Sequence, residues 1–406
     1  MPEITIERLD HQARGIGKIN NKIIFIPKAL PNEIIDARVI LEKKKFYEGK
    51  INQILKTADE RIDSICPQFS DCGGCQLLHM NYKNGLKFKQ EKVNDIILKN
   101  VPFKFLIKDI VPSQDNLFYR NKITLQVNSL IGYFKEKTND IISIDACYIA
   151  DKKINEIYQK IKTNIILDNI NQIIIRSSKN TNETMIIFKT SGIIDKNNII
   201  KNLKDCVSSI YINEELVFGA YKITEKILNH KFYISPTSFF QVNTLQAEKL
   251  YKLALDYANI TKNDLVLDLY CGTGTISILA SEYAEKVIGI ELNKEAVKDA
   301  NENKKLNSIS NVEFYAGDVG TILNKNNYHP DIVIVDPPRA GLDSLAISQI
   351  LKIKPKKLVY ISCDLMTLAR DLKILGDNFN IVELTPVDMF PQTAHVECVT
   401  VLYRKK

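Results

Sequence analysis

The last third of this chain carries side chains fit for covalent chemistry. Cys363 stands in "LVYISCDLMTLARDL", where an apolar strand gives way to an amphipathic helix. Free cysteine is among the most buried residue types, so packing is one reading. The other is a nucleophile, because a helix start lowers the pKa of a thiol beside it. Asp336 ends an apolar strand in "DIVIVDPPRAGL", ahead of Pro337, Pro338 and Arg339. A turn explains the prolines but not the acid and the arginine that flank them. Glu397 opens a final strand among Val396, Cys398 and Val399 in "DMFPQTAHVECVTVLYR". A carboxylate in such apolar surroundings can have a raised pKa and serve as a base; a solvated one at a strand start would do nothing.

A cofactor turn precedes them. "LVLDLYCGTGTIS" sets Gly272 and Gly274 between a strand and a helix, where backbone can approach a ligand. The next strand ends in Glu291, 17 residues beyond Gly274, and a carboxylate there can accept both ribose hydroxyls. A dinucleotide fingerprint wants a third glycine, but Ser277 holds that position. The turn suits a nucleoside cofactor without pyrophosphate, as S-adenosylmethionine is. Asp318, ending the third strand, is placed to meet the adenine edge.

Upstream, Cys66, Cys72 and Cys75 give C-x5-C-x2-C, and Cys147 follows 72 residues later. Four thiolates suit structural zinc or an iron–sulfur cluster.

These residues need elements to hold them. From about 236 the chain alternates strand and helix, which predicts a mainly parallel, doubly wound α/β sheet. Residues 118–234 read as strands around a helix near 149–165, a mixed α+β region. Residues 3–55 read as short strands broken at Gly15, Gly17, Pro27, Pro31 and Gly49, the spacing of a small β-barrel. There Lys43, Lys44 and Lys45 run into Phe46 and Tyr47, a surface able to hold phosphates and stack bases.

The chain has 406 residues, enough for two or three domains. Its net charge of +7 permits an acidic partner without demanding one. No apolar run reaches membrane-spanning length, and the N-terminus reads as neither signal nor transit peptide, so a cytoplasmic location is expected. Eight cysteines then argue for metal or catalytic roles, not disulfides.

In order, "SFFQVN", "DLYCGTGT", "DPPRAGL", "ISCD" and "DMFPQTAHVE" make the chain resemble the S-adenosylmethionine-dependent RNA (uracil-5-)-methyltransferases over nearly its full length. The resemblance implies Cys363 as nucleophile and Glu397 as base. It implies Gln241, Tyr270, Glu291 and Asp336 at the cofactor, with Asp318 a weaker candidate. Phe239 is placed either to stack on the target base or to pack as a core phenylalanine, and a base inside folded RNA must be extruded to reach the thiol. "CPQFSDCGGCQ" resembles the iron–sulfur branch, which implies a 4Fe-4S cluster on Cys66, Cys72, Cys75 and Cys147. The barrel resembles a TRAM domain, an RNA-binding module. Together these imply 23S ribosomal RNA as partner, with the transfer RNA T-loop as the alternative. The expected domains are a TRAM barrel at 1–56, a central cluster domain at 57–235 and a methyltransferase domain at 236–406, with part of 76–110 free to lean on the last.

Rival readings fit less well. A radical methylthiotransferase needs C-x3-C-x2-C, and the first gap here is five residues. An amino methyltransferase carries an aromatic after the paired prolines, where Arg339 stands. A non-catalytic RNA-binding scaffold has no use for Cys363, Glu397 and the cofactor turn together.

Overall fold

The computed structural model describes residues 3–406, so the first two residues of the expected 1–56 domain lie outside the described residues. The N-terminal part is a six-stranded sheet in the order Glu3–Thr5, Ile34–Glu42, Phe46–Lys56, Lys22–Pro27, Arg14–Ile19, Arg8–Leu9. Its strands alternate in burial, which points Ile4, Ile24, Ile26 and Ile35 into one core. The sheet curls until its ends approach. A Cβ on Gly17 would stand 2.5 Å from the Ile4 side chain, so only glycine allows that closeness.

The central sheet has seven strands, from Ile141–Ser143 at one edge to Glu215–Gly219 at the other. Helices Lys152–Asn164 and Lys196–Leu203 supply Ile154, Ile157, Ile161, Ile199 and Leu203 to its core.

The C-terminal sheet has eight strands, in the order Val312–Ala316, Lys286–Glu291, Leu265–Leu269, Ile332–Val335, Lys357–Ser362, Glu397–Arg404, Phe379–Val387, Leu106–Ile107. The first five run parallel, as strands joined through helices must. Glu397–Arg404 is antiparallel to both of its neighbours. Chain order and spatial order therefore part company beside Cys363, and this antiparallel insertion brings Glu397 to it.

The core of this sheet draws on residues well before 236. Strand Leu106–Ile107 pairs with Phe379–Val387, and helix Tyr82–Asn100 sends Val93, Ile96 and Ile97 into the core that holds Leu365, Leu368 and Leu372. The hairpin Ile223–Ile227 with His230–Ile234 buries Ile223, Phe232 and Ile234 against helix Thr244–Ala258. The span 57–235 is thus not one packing unit. Length and apolar pattern mark an element's existence, but not which core receives its buried face.

Helix Tyr82–Asn100 is locked in place by a buried polar network. The Lys89 ammonium, 1% exposed, pairs with the fully buried Asp388, and Tyr82 donates to the same carboxylate at 2.7 Å. Buried charges persist where they are paired and hydrogen-bonded in this way. Among the described residues, no helix is long and apolar enough to cross a membrane.

Candidate active site

Adjacent strands deliver three ionisable groups to one end of the C-terminal sheet. Asp336 follows Ile332–Val335, Cys363 follows Lys357–Ser362, and Glu397 opens Glu397–Arg404. Ser362 pairs with Cys398, so Cys363 and Glu397 stand at the next step along the same antiparallel pair. Glu397 is 4% exposed. Burial first, and the Asp336 charge second, hold its carboxyl well above the usual range. Burial alone pushes Asp336 up to about 7.

The thiol does not behave as its place in the sequence suggests. Its pKa is pushed up to about 11, by burial first and then by the charges of Glu397 and Asp336, against a smaller opposing pull from Arg339. The helix that follows is capped by Asp364. The Asp364 carboxylate accepts the N–H groups of Met366 and Thr367, each at 3.0 Å. The expected lowering of the Cys363 pKa is therefore corrected to a rise. With thiolate the reactive form, alkylation of free Cys363 by iodoacetamide should be slow near pH 7. Its rate should climb about tenfold per pH unit toward pH 10, since the thiolate fraction does. Mass spectrometry of the Cys363 peptide would measure this, and a plateau near pH 8 would contradict it.

The cofactor turn is built for a ligand on one side only. Gly272 has φ +54°, and a Cβ there would meet nothing within 4 Å. Gly274 has φ +80° and is packed, with a Cβ there falling 2.6 Å from the Phe314 ring. Glu291 sits beside this turn. Its carboxylate accepts the N–H of Gly272 at 3.1 Å and of Asn293 at 2.8 Å, which fixes its aim. Tyr270 adopts φ +66°, a strained conformation for a non-glycine residue, next to the turn. These residues fit a nucleoside with a free ribose. Glu291→Ala should weaken S-adenosylmethionine binding by about 1–3 kcal/mol, the worth of hydrogen bonds to a charged group. Calorimetry would test it, with unchanged affinity as the contrary result.

Asp318 is exposed, and its Oδ1 caps helix Val319–Lys325 by accepting the Thr321 N–H at 2.8 Å. One carboxylate oxygen thus already has a structural use. Gln241 is buried, and its carbonyl accepts from the Asn121 side chain at 3.1 Å. Arg339 is exposed near Cys363. Cys271 and Cys398 are buried, and Cys206 packs against the central core, so these three thiols serve packing.

Sequence reasoning missed two residues. Tyr251, on helix Thr244–Ala258, is buried with its hydroxyl bonded to Gln241 and within reach of the Asp336 and Glu397 charges. Asp268 is fully buried and is pushed up to about 7 by burial. The Ser277 hydroxyl, at the missing third glycine, donates to its Oδ2, while its Oδ1 has no partner. An acid inside an otherwise apolar strand was the available signal for Asp268. Tyr251 gave none, since a tyrosine at helical spacing reads as core.

Cys363 opens into a cleft of about 460 Å³ shared with the N-terminal barrel, whose Arg14 and Lys28 face Lys92 and His395. A second cavity, of about 590 Å³, is lined by Cys66, Cys72, Cys75 and Cys147. Cys75 lines both. Phe239, 73% exposed, forms part of the second cavity's wall. Burial raises the Cys66, Cys72 and Cys75 thiols, and neighbouring thiols add to the rise. Among the described residues, no three His, Cys, Asp or Glu side chains converge closely enough to hold a single metal ion. The expected iron–sulfur site is therefore not present as a closed ligand shell. The chain offers four free thiols around one cavity.

Comparison with known proteins agrees with this architecture. The chain matches the TRAM domain over residues 2–51, the tRNA (uracil-5-)-methyltransferase family over 194–317 and a methyltransferase domain over 260–394. It is 35% identical to an uncharacterized RNA methyltransferase of Staphylococcus epidermidis, covering 98% of this chain and 96% of that one. It is 36% identical to one of Oceanobacillus iheyensis, covering 99% and 96%. The Pyrococcus abyssi tRNA (uracil-54, C5)-methyltransferase, solved with S-adenosyl-L-homocysteine, superposes with a TM-score of 0.82 at 28% identity, covering 98% of this chain and 99% of that one. With its TRAM domain and its methyltransferase sheet, the chain belongs to the S-adenosylmethionine-dependent RNA uracil-5-methyltransferase family.

Proposed function

We propose that this protein methylates carbon 5 of a uridine in 23S ribosomal RNA, with Cys363 as nucleophile and Glu397 as base. The supporting observation is the meeting of Cys363, Glu397 and Asp336 at neighbouring strand ends, on a cleft shared with the RNA-binding barrel.

Uracil carbon 5 is a weak nucleophile. The Cys363 thiol gives up its proton to solvent in the cleft as its sulfur adds to carbon 6, and the electron pair of the ring double bond moves toward carbon 5 and the carbonyl as an enolate. Gln241, Tyr270, Glu291 and Asp336, with Asp318 a weaker candidate, would hold S-adenosylmethionine, which would supply the electron-poor methyl carbon; as carbon 5 bonds to it, the methyl–sulfur bond breaks and the sulfonium leaves as a neutral thioether. After transfer, Glu397 takes the proton from carbon 5. The double bond re-forms, the bond from sulfur to carbon 6 breaks, and Cys363 leaves as thiolate. Burial and the Asp336 charge raise the Glu397 pKa, which makes its carboxylate a stronger base than a solvated one.

The four cysteines are proposed to hold a 4Fe-4S cluster. The support is the resemblance of "CPQFSDCGGCQ" to the iron–sulfur branch together with the four thiols on one cavity wall, a donor set that zinc would also suit. Anaerobically purified protein should then be brown and contain iron, and Cys72→Ala should remove the visible absorbance. Stoichiometric zinc without iron would reject the cluster.

The domain organisation is proposed as a TRAM barrel at 1–56, a cluster-bearing region within 57–235 and a catalytic region at 236–406, the last completed by 82–107 and 223–234. The work of the enzyme is placed in the cytoplasm, with its RNA. The ribosomal target rests on the resemblance of barrel and cysteine pattern to that branch. The second reading, a transfer RNA uridine, is favoured by the similarity to the Pyrococcus abyssi enzyme. Mass mapping of 5-methyluridine in cells with and without the protein decides between them. Loss from 23S ribosomal RNA is expected, and loss confined to transfer RNA would overturn it.

A further inference from the structure

Gln76 follows Cys75 and bridges two loops that the sequence keeps more than 300 residues apart. Its Nε2 donates to the Gly73 carbonyl at 2.9 Å, inside the turn between Cys72 and Cys75. Its Oε1 accepts the N–H of Ala394 at 3.3 Å. The backbone N–H groups of Gln76 and Leu77 both donate to the Gln392 carbonyl, at 2.9 and 3.0 Å. Ala394 lies three residues before Glu397.

The placement of Glu397 has two sides. On the strand side it is set by pairing with Val387, and by Cys398 against Ser362. On the loop side it depends on residues 388–396. Lys89 and Tyr82 hold the far end of that loop through Asp388, and Tyr119 holds Pro391 at 3.0 Å. The near end is held by Gln76 and by Lys92, which donates to the Ala394 carbonyl at 2.8 Å. A base must sit within hydrogen-bond reach of the proton it takes, and a shift of about 1 Å costs a large part of its effect.

We infer that Gln76 is a positioning residue for proton removal from carbon 5, passing the conformation of the cysteine turn to the loop that carries Glu397. The inference rests on Glu397 being the base. It joins the cysteine cavity to a single step of the reaction, through one side chain.

The test uses full-length protein, labelled S-adenosylmethionine and unmodified total RNA from cells lacking the protein. Gln76→Ala removes both side-chain bonds. Turnover should fall about tenfold, a part of what a general base contributes, and an RNA–protein adduct that survives denaturant should accumulate. Iron content and S-adenosylmethionine affinity should stay as in the unaltered protein. Gln76→Glu keeps an acceptor for the Ala394 N–H but has no N–H to give the Gly73 carbonyl, so it cuts the link to the cysteine turn and should also accumulate adduct. Gln76→Asn is too short to span both partners and should repeat the alanine result, which covers a failure of Gln76→Ala to fold. Normal turnover in the alanine and asparagine variants overturns the inference. So does a higher KM for RNA with no adduct, which would make Gln76 an RNA contact, and so does loss of iron. Glu397→Gln runs beside them. If it traps adduct and the Gln76 variants do not, only the role of Gln76 fails; if it traps none, the base assignment fails first and takes this inference with it.

Discussion

Cys363→Ala is expected to lose methyl transfer completely and to form no covalent complex with RNA. The reason is electronic. Without a nucleophile on carbon 6, nothing in the site raises the electron density at carbon 5. Cys398, the nearest other thiol in sequence, is fully buried on the neighbouring strand and cannot substitute. Cofactor binding should survive, because Glu291 and the Gly272 turn lie on other strands. Methyl incorporation from labelled S-adenosylmethionine, with calorimetry as the folding control, measures both. Residual methylation by a folded Cys363→Ala protein would mean that the nucleophile is misassigned.

Glu397→Gln should give the opposite phenotype at the same site. The amide keeps the shape of the buried side chain but cannot take a proton. Thiolate addition and methylation should proceed, after which the methylated base stays attached to Cys363. A slow gel band that survives denaturant and carries label is the expected readout. Its single-turnover yield should approach one methyl per protein, while multiple turnover falls by about 10²–10⁴, the usual contribution of a general base. Normal turnover without an adduct would remove Glu397 from the chemistry.

The candidate site is unevenly legible in the sequence. Asp336 and Cys363 could be placed at strand ends because apolar runs of strand length stop just before them, and ligands of such sheets collect at those ends. The buried face of the helix after Cys363, on Leu365, Leu368 and Leu372, followed from spacing alone. The thiol's electrostatics did not follow. A helix start ahead of the chain promised a lowered pKa, yet burial and two carboxylates reverse it, and both come from other strands.

Local order, then, was written in the residues themselves. The alternation of strand and helix and the Gly272 turn with Glu291 beyond it rest on neighbours within a few positions. The barrel breaks expected at Gly15, Gly17 and Gly49 do not occur, because all three lie inside strands Arg14–Ile19 and Phe46–Lys56, where glycine allows close packing against Ala29, Ile4 and Ile24. Tertiary structure alone decided the rest. It inserted Glu397–Arg404 antiparallel beside Lys357–Ser362, which gave Cys363 its partner. It drew helix Tyr82–Asn100 into the catalytic core, put Tyr251 among the acids and tied Gln76 to Ala394. Each of these joins residues far apart in the chain. Desolvation and Coulomb energy depend on distance in space, which the order of residues does not encode.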